Sequence, residues 1–436
     1  MHKLYRRDLI AILFSIICCS GFSAIMPYRM IMILILCCCL LFMNLHSTKF
    51  CIRKSPLFFP FLMLFIYIGI SVVYSYQKTE TIKFLIVYSV GLLLILCPIK
   101  NDFYVKCLEY IEILCKIVAC SILLQLIIPN LYSSYLYFLI QGGASARQRL
   151  SGEVASHIYS GIAGEKGEAA FLMVIAVIIV LSKCIREKKI SRNNLVWLII
   201  YFVAMLLPAK RMLFAVGVLM VFLYIVFWTK GSRKLLAIGG AGILGVIGYI
   251  VVSLTSSLNT LLLRFTSFSD DDTANGRTYL WEHAINMFRE KPLLGYGYGS
   301  YNTYASEKGV LLTSTGEWSS QAHNIFYQLL GEMGALGTFL FLCVCVITLY
   351  IFFRLYRKKN VLEKFDLALL FVGSCFVILT LVYGLTGNVI YYTNQIMFFF
   401  LGISISVNLQ RKYLKQTNHF SHERRELTWI QKRLEY

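Results

Sequence analysis

Residues 275–281 of this sequence are Asn-Gly-Arg-Thr-Tyr-Leu-Trp, residues 291–300 are Lys-Pro-Leu-Leu-Gly-Tyr-Gly-Tyr-Gly-Ser, and residues 322–325 are Ala-His-Asn-Ile. They lie within 255–337, the one long polar interval of a chain that otherwise consists of successive hydrophobic runs. From 255 to 322 the charged side chains give a net charge of −2, whereas the whole chain carries +20. The sequence therefore predicts that 255–322 is one large loop with a chemistry of its own.

Composition places the rest of the chain in a membrane. Of the 436 residues, 58% are hydrophobic and 15% are charged, whereas soluble domains carry about 25% charged residues. Apolar runs of roughly 18 residues or more recur, and each is long enough to cross a bilayer. We therefore predict an all-α polytopic membrane protein that forms one integral membrane domain over residues 1–436.

Basic residues cluster in alternate short loops, which is the pattern of cytoplasmic loops in membrane proteins. Counting the apolar runs between these loops predicts about twelve transmembrane helices, with both termini and a basic tail at 409–436 in the cytoplasm and the 255–322 loop outside. The predicted spans are 9–24, 30–45, 57–74, 82–97, 111–128, 169–182, 195–207, 212–228, 235–254, 323–353, 367–383 and 389–407. The same pattern explains the charge of +20 without a nucleic-acid partner.

The segment between Arg277 and Pro292 has the spacing of an amphipathic helix. Residues 270–273 offer N-cap side chains before it, and Pro292 marks its end. Its apolar stripe consists of Leu280, Trp281, Ala284 and Phe288. Such a helix lies on the bilayer face or on the helix bundle. Arg277 falls in the first turn, where free N–H groups and the guanidinium together favour a phosphate. An ordinary surface arginine is the alternative.

The segment Gly295-Tyr296-Gly297-Tyr298-Gly299 alternates glycine with tyrosine. No strand pattern precedes it and no Gly-Lys-Ser/Thr follows it, so it is not a nucleotide-binding loop. The pattern suits a tight backbone path in which Tyr296 and Tyr298 offer stacking faces to sugar rings. Structural packing of the two aromatic rings explains it equally well.

His323 lies at the end of the polar interval. Residues 319–321 can cap a helix whose first turn contains His323. The positive end of a helix favours the neutral imidazole, which is the form that a general base requires near pH 7. A structural histidine at a membrane interface is the alternative. Gly331, Gly334 and Gly337 follow at three-residue intervals and predict close helix contact.

Other charged residues fall in predicted external loops. Lys210 and Arg211 form a basic pair in a short external turn, against the positive-inside trend, so we expect Arg211 to bind an anion unless it merely extends to the interface. The loop at 129–167 and the residue after it carry further charges, for which a solvated surface is the alternative: Arg147, Arg149, Glu165 and Glu168. No Cys/His set has the spacing of a zinc site, so we expect no metal and no cofactor.

These segments resemble the O-antigen ligase and polymerase superfamily over roughly residues 205–340. The resemblance rests on Asn275-Gly276-Arg277-x-x-x-Trp281, on Pro292-Leu293-Leu294-Gly295-x-Gly297-x-Gly299, and on His323-Asn324 with Gly334 in a His-x10-Gly pattern. Arg211 resembles the arginine that the family places at a short external turn. Here Pro208-Ala209-Lys210 precedes it, where the family often has Thr-Gly-Ser.

The resemblance implies a membrane-embedded, glycosyltransferase C-like fold in the cytoplasmic (inner) membrane, surrounded by membrane lipids. It also implies an inverting, metal-independent glycosyltransferase that takes glycan from undecaprenyl pyrophosphate on the external face. Arg211 and Arg277 would hold the diphosphate, and His323 would activate or orient the acceptor hydroxyl. Nearby side chains would bind the sugars: Arg147, Arg149, Glu165, Trp281, Tyr296, Tyr298 and Asn324.

The sequence leaves three functions open. We favour a polymerase that joins lipid-linked repeat units of O-antigen, capsule or exopolysaccharide, with a flippase and a chain-length regulator as partner proteins. A ligase that passes the glycan to lipid A-core or to another acceptor would share this chemistry and differ in its acceptor. A transporter or flippase is the third function. Transporters usually show repeat-related halves, and no internal repeat is evident in this sequence.

Overall fold

Helices account for most of the residues that the structure describes. The computed structural model describes residues 2–21, 23–45, 55–97, 99–142, 144–229, 231, 234, 275–307 and 321–413. Its α-helices, in chain order, are α1 His2–Cys19, α2 Arg29–Leu45, α3 Phe58–Tyr74, α4 Lys78–Leu96, α5 Asn101–Ile127, α6 Leu131–Ser134, α7 Ala144–Ala155, α8 Lys166–Glu187, α9 Arg192–Leu206, α10 Arg211–Trp228, α11 Asn275–Glu290, α12 Tyr301–Glu307, α13 Ile325–Arg357, α14 Lys364–Tyr383 and α15 Ile396–Tyr413. Short 3-10 helices lie at Met26–Tyr28, Tyr137–Leu139, Gly161–Ala163 and Val389–Tyr391.

These helices confirm the predicted all-α polytopic membrane fold. Within the described ranges, seven segments are long and apolar enough to cross a membrane, and three further apolar helices are shorter. The predicted spans fall on α1 to α5, α8 to α10 and α13 to α15. The predicted span at 235–254 lies outside the described residues, as do residues 255–274 and 308–320 of the loop and residues 414–436 of the tail.

Several predicted boundaries differ from the observed helix ends; the fifth span, for example, was predicted from residue 111, but α5 begins at Asn101. The first span was predicted to reach residue 24, but α1 ends at Cys19. The last was predicted to begin at residue 389, but a 3-10 turn occupies Val389–Tyr391 and α15 begins only at Ile396. At the beginning of this last predicted span the chain is largely buried without being α-helical, which an apolar run alone does not reveal because buried loops and helices share the same composition.

Helix α8 forms the centre of the bundle. Nearly all of its side chains are buried, and it packs against α5, α9, α10 and α14. A helix that is apolar on every face is buried in protein or in lipid, and protein covers nearly all of α8. The other extensively buried helix, α15, packs against α4, α13 and α14. The two helices therefore set the positions of the elements around them.

A buried polar network joins α2, α8 and the segment before α15. The Asn394 amide donates to the Glu168 carboxylate at 2.6 Å, and the Gln395 amide donates to the same carboxylate at 2.8 Å. Arg29 donates to Asn394 Oδ1 at 3.3 Å and to Thr393 Oγ1 at 3.0 Å. Glu168 was predicted to be an external charge, but it is 1% exposed. Its partners offset the cost of burying the charge.

Helix α11 confirms the predicted amphipathic helix and shows what it packs on. Its buried face consists of Leu280, Ala284 and Met287, and this face lies against α13. Met287 replaces the predicted Phe288, which is half-buried. The reason is the helical repeat, since residues four and seven positions after Leu280 share its face. The helix therefore lies on the bundle.

Helix α13 is interrupted at Gly334, and the glycine-rich segment binds to the interruption. Gly334 has φ 62° and ψ −169°, a conformation open to glycine and strained for other residues. The freed backbone groups pair with the preceding segment: Ala335 N–H donates to Pro292 O at 2.8 Å, and Gly297 N–H donates to Glu332 O at 2.7 Å. A Cβ at position 334 would lie 2.3 Å from Leu293 O.

The Glu332 carboxylate holds the next part of that segment. It accepts from Gly299 N–H at 2.8 Å and from Tyr301 N–H at 3.0 Å. Close contact was also predicted for the flanking glycines. A Cβ at Gly331 would lie 2.8 Å from Ala284 O, and one at Gly337 would lie 2.5 Å from the Tyr67 ring. The path from α11 to α12 is therefore fixed against α13 by backbone hydrogen bonds and close packing.

We expect Gly334→Ala to lower the free energy of unfolding by more than about 1 kcal/mol, because a positive φ alone costs an L-residue roughly 1–2 kcal/mol. The measurement is thermal unfolding of the purified protein in detergent. Gly152→Ala is the matched control, since a Cβ there meets no atom within 4 Å. Equal unfolding temperatures for the two variants would contradict this view of the α13 break.

Candidate active site

The turn between α14 and α15 contacts two of the three predicted catalytic residues, Arg277 and His323. Arg277 Nη1 lies 3.5 Å from the carbonyl oxygen of Thr386. Asn388 Nδ2 lies 3.2 Å from His323 Nδ1. Residues 277 and 323 come from separate segments, and each contacts the stretch from Thr386 to Asn388. Arg277 and His323 therefore meet as predicted, because both contact the same turn. The sequence analysis did not select that turn as part of the site.

His323 precedes its helix. It was predicted in the first turn, but α13 begins at Ile325 and Asn324 is the N-cap, accepting from the N–H groups of Phe326 and Tyr327. The Asn324 amide also donates to Leu385 O at 3.1 Å. His323 itself has φ 53°, a left-handed conformation that is sparsely populated and common at functional sites. Asn324 therefore serves as a helix cap that also fastens His323 to the turn.

The surroundings of His323 favour the neutral imidazole at pH 7. Burial, and to a smaller extent the positive charges of Arg277 and Lys210, together lower its pKa to about 4. A neutral form was expected from the helix dipole, whereas the structure attributes it to desolvation and two neighbouring cations. Lys210 and Arg277 therefore both lie near enough to the imidazole for their charges to act on it.

Lys210 is the site residue that the sequence did not select. It lies in the turn between α9 and α10, where Ala209 has φ 54°. Burial lowers the pKa of Lys210, Arg277 lowers it further, and Glu165 opposes the shift. The predicted residue, Arg211, is the first of α10; among the described residues its buried Nη1 has no hydrogen-bond partner. The sequence indicated this turn only through the Lys210-Arg211 pair. In the structure it is the charge of Lys210 that acts on His323.

Two acidic residues, Glu165 and Glu153, lie close enough to Lys210 for their charges to raise its pKa. The Glu165 carboxylate caps α8 by accepting from Glu168 N–H at 2.8 Å. Burial raises the pKa of Glu153, which accepts from Ser160 Oγ at 2.9 Å. The site therefore has a cationic half at Lys210 and Arg277 and an acidic half at Glu165 and Glu153.

The predicted arginines of the earlier loop have different surroundings. Arg149 Nη2 donates to Gly164 O at 2.9 Å, next to Glu165 in the sequence, and its charge acts on Glu153. Arg147 is exposed and lies over the Tyr137 ring at 5.9 Å. The structure thus brings Arg149 and Glu165 to the margin of the site, whereas Arg147 lies on the surface.

The predicted sugar-stacking residues are covered by protein. Tyr298 is 0% exposed; it stacks on Tyr391 at 5.1 Å and meets Phe84 edge-on at 4.8 Å. Tyr296 is 5% exposed, and Lys291 lies 4.2 Å from its ring centre. Both rings therefore favour the packing alternative, because neither offers a free face to a sugar.

Trp281 is partly buried. It stacks on Tyr327 of α13 with ring centres 5.5 Å apart. This contact helps to fix the first turns of α11, which carry Arg277, against α13. Trp281 therefore acts on the site through packing in this structure.

Some of the buried polar atoms without a hydrogen-bond partner in the described part of the chain lie on elements of the site. Besides Arg211 Nη1, the buried atoms Thr386 Oγ1 and Asn388 Oδ1 find no hydrogen-bond partner within the described ranges. Such atoms are rare in folded proteins and call for an explanation. A polar ligand beside the 386–388 turn would satisfy them. In the same ranges, no three His, Cys, Asp or Glu side chains come together as metal ligands.

Comparison with known proteins gives the same segments a family context. Residues 195–342 match the family model described as O-antigen ligase, and this range includes Arg211, Arg277, His323 and Gly334. The predicted resemblance to the O-antigen ligase and polymerase superfamily is thereby confirmed. Together with the apolar helices, the match identifies a multi-pass membrane protein related to enzymes of glycan transfer.

Two curated relatives extend the comparison. The chain is 31% identical over 119 residues to the exopolysaccharide production protein ExoQ of Rhizobium meliloti, which is 26% of each chain. It is 23% identical over 368 residues to the ComP-specific O-oligosaccharyltransferase of Acinetobacter baylyi, covering 82% of this chain and 63% of that protein. The chain thus spans about a quarter of the first relative and less than two thirds of the second.

We expect Lys210→Met to raise the pKa of His323 from about 4 toward the ordinary value near 6.5, because one of the two neighbouring cations is lost. The pKa is read as the midpoint in the pH dependence of His323 carbethoxylation by diethyl pyrocarbonate, since only the neutral imidazole reacts. Lys210→Arg keeps the charge and should keep the midpoint. A wild-type midpoint near 6.5 would contradict the described surroundings of His323.

Proposed function

We propose that the protein is a polymerase of undecaprenyl-pyrophosphate-linked oligosaccharide repeat units, acting on the external face of the cytoplasmic membrane. One observation carries the proposal: Arg277 and His323 both contact the 386–388 turn, and the charge of Lys210 acts on the His323 imidazole, within a chain whose residues 195–342 match the O-antigen ligase family. The alternation of basic loops supports an external position for that turn and a cytoplasmic position for both termini.

The cationic half of the site suits the donor's diphosphate. Arg277 lies in the first turn of α11, where backbone N–H groups have no partner within the helix. Guanidinium and backbone N–H groups bind phosphate oxygens by charge-assisted hydrogen bonds. Lys210 adds a second charge, and the unpartnered Nη1 of Arg211 offers a further donor.

These residues support an inverting displacement. The acceptor oxygen attacks C1 of the donor sugar from the face opposite the diphosphate, and the C1–O bond breaks with its electron pair passing to the diphosphate. Fixed cations stabilise the charge that develops on the leaving group. We propose that they do so without a divalent metal. Because the diphosphate is stable as an anion, it leaves without needing a proton.

The second half of the site would receive the acceptor sugar. His323 would contact its reacting hydroxyl or the departing oxygen, and the acidic residues Glu165 and Glu153 can accept hydrogen bonds from further hydroxyls. Trp281, Tyr296, Tyr298 and Asn324 would then support the site through packing and capping. A flippase that delivers the donor and a chain-length regulator would be the partner proteins of such a polymerase.

An oligosaccharyl ligase is the second candidate. The alignment with the ComP-specific O-oligosaccharyltransferase covers 82% of this chain, and the name of that relative describes transfer to a particular acceptor. The two functions would use the same cationic half of the site for the donor, and they differ in the acceptor. The polymerase is our choice because ExoQ, the relative of higher identity, is named for exopolysaccharide production.

We expect His323→Ala and Arg277→Ala to abolish long glycan in a deletion strain, because each removes a group that contacts the reacting atoms. Loss of such a group costs about 10²–10⁴-fold in rate. Glycan ladders on gels give the readout, and immunoblots of membranes report protein level. Arg289→Ala, in the last turn of the same helix and exposed, is the matched control. Wild-type ladders from both site variants would defeat the proposal.

Purified protein should turn over lipid-linked repeat units in excess EDTA, since the proposed charge stabilisation comes from side chains. Product is measured once with repeat unit alone and once with added lipid A-core. Polymer from repeat units alone supports the polymerase, and product only with lipid A-core supports the ligase. Strict dependence on added Mg²⁺ would contradict the metal-independent mechanism.

A further inference from the structure

We propose that Asn388 holds His323 as the Nε2–H tautomer, so that the imidazole donates a hydrogen bond to the leaving diphosphate and does not take the acceptor's proton. This inference rests on the proposed function and assigns one of the two roles that it leaves to His323. His323 is then a catalytic residue, because it touches the substrate. Asn388 is a positioning residue, because it acts through His323.

The contact between the two side chains sets the tautomer. Asn388 Nδ2 lies 3.2 Å from His323 Nδ1. An amide NH₂ group can only donate, so Nδ1 must accept and the proton of the neutral imidazole must reside on Nε2. In the opposite tautomer, two N–H groups would face each other. The substrate side of the ring therefore presents a donor.

The surroundings of Asn388 favour the observed orientation of its amide. The residue is 1% exposed, and its carbonyl oxygen accepts from Tyr391 N–H at 2.8 Å, which fixes the turn. Its Oδ1 has no donor within the described ranges. Turning the amide over would place the NH₂ group there instead. An unpaired buried carbonyl oxygen is more readily tolerated than an unpaired buried N–H group.

The charges beside His323 favour a donor over a base. Arg277 and Lys210 both act on the imidazole. A base at this position would become an imidazolium next to two cations, which is unfavourable in a partly desolvated site. A neutral N–H donor adds no charge and joins the two cations in binding an anion. The three groups then form one donor set for the diphosphate.

The acceptor's proton needs another destination in this arrangement. As the acceptor oxygen bonds to C1, the C1–O bond to the diphosphate breaks and its electron pair passes to the diphosphate. The proton of the hydroxyl passes to a carboxylate, and we assign Glu165. Its charge opposes the lowering of the pKa of Lys210, so Glu165 lies near Lys210. It lies in the acidic half of the site and is fixed in place as the cap of α8.

The first test substitutes His323. Glutamine places an amide nitrogen at about the distance of Nε2 from the backbone, and this nitrogen can donate but cannot take up a proton near pH 7. We expect kcat of His323→Gln to exceed that of His323→Ala by at least about tenfold, since removing one donor to a developing anion costs about 10²–10³-fold. Equal loss in both variants would overturn the donor role.

The second test reverses the tautomer. Asn388→Asp is close to isosteric, and its carboxylate would accept from Nδ1–H and leave Nε2 without a proton. We expect kcat to fall at least about tenfold in the wild-type background and to change little in the His323→Gln background, where no tautomer exists. Full activity of Asn388→Asp, or the same loss in both backgrounds, would overturn the positioning role. Thermal unfolding of each variant checks that it folds.

The outcomes separate this inference from the proposed function. Absence of transfer by the wild-type protein, or full activity of His323→Ala, would refute the function itself. Transfer that is lost in His323→Ala and equally lost in His323→Gln would leave the function standing and refute the donor tautomer. Gln410→Glu adds a negative charge at a remote position. Its activity, compared with that of wild type, controls for the charge that Asn388→Asp adds.

Discussion

Backbone hydrogen bonds between residues 292–297 and the interrupted turn of α13 are the constraint on which the site depends. An intact helix would offer no free N–H or C=O groups there. The external segment could then contact the helix bundle only by side-chain packing. The break at Gly334 exposes those groups, and the glycine-rich segment pairs with them. Because α11 precedes this segment and α13 follows His323, the pairing fixes Arg277 relative to His323.

A second constraint is the buried polar network around Glu168. The Glu168 carboxylate receives the amides of Asn394 and Gln395, and Arg29 joins the same network. Removing one partner of such a buried network leaves a charge uncompensated, which costs several kcal/mol. The network sets the start of α8, where Glu165 lies, and the end of the turn that carries Asn388. Structural polar residues thus determine where the reacting groups lie.

Much of the fold could be predicted from the sequence because it depends on local patterns. Apolar runs gave the spans, and the spacing from Leu280 to Ala284 gave the face of α11. The site was only partly predictable. Arg277 and His323 stood out as charged or titratable residues in a polar interval. Lys210 was passed over for its neighbour, since the direction of each side chain depends on a turn at Ala209 that composition does not reveal.

The remaining errors have the same origin in tertiary contacts. Asn388 gave no signal, because an asparagine in a short turn is ordinary until its amide is seen against His323. Tyr298 matched the pattern of a sugar-binding aromatic, yet packing by Phe84 and Tyr391 decides its role. His323 was predicted in the first turn because the sequence does not show which residue caps α13. Asn324 is the N-cap, since its side chain accepts two backbone hydrogen bonds.

The central claim is that Arg277 and Lys210 form one diphosphate site beside His323. Its most direct test is the affinity of the purified protein for a short-chain prenyl diphosphate, measured by isothermal titration calorimetry. The account predicts that Arg277→Ala and Lys210→Met each weaken binding by about tenfold or more, equivalent to roughly 1.4 kcal/mol, while Arg289→Ala binds as wild type. Wild-type affinity in both site variants would contradict it.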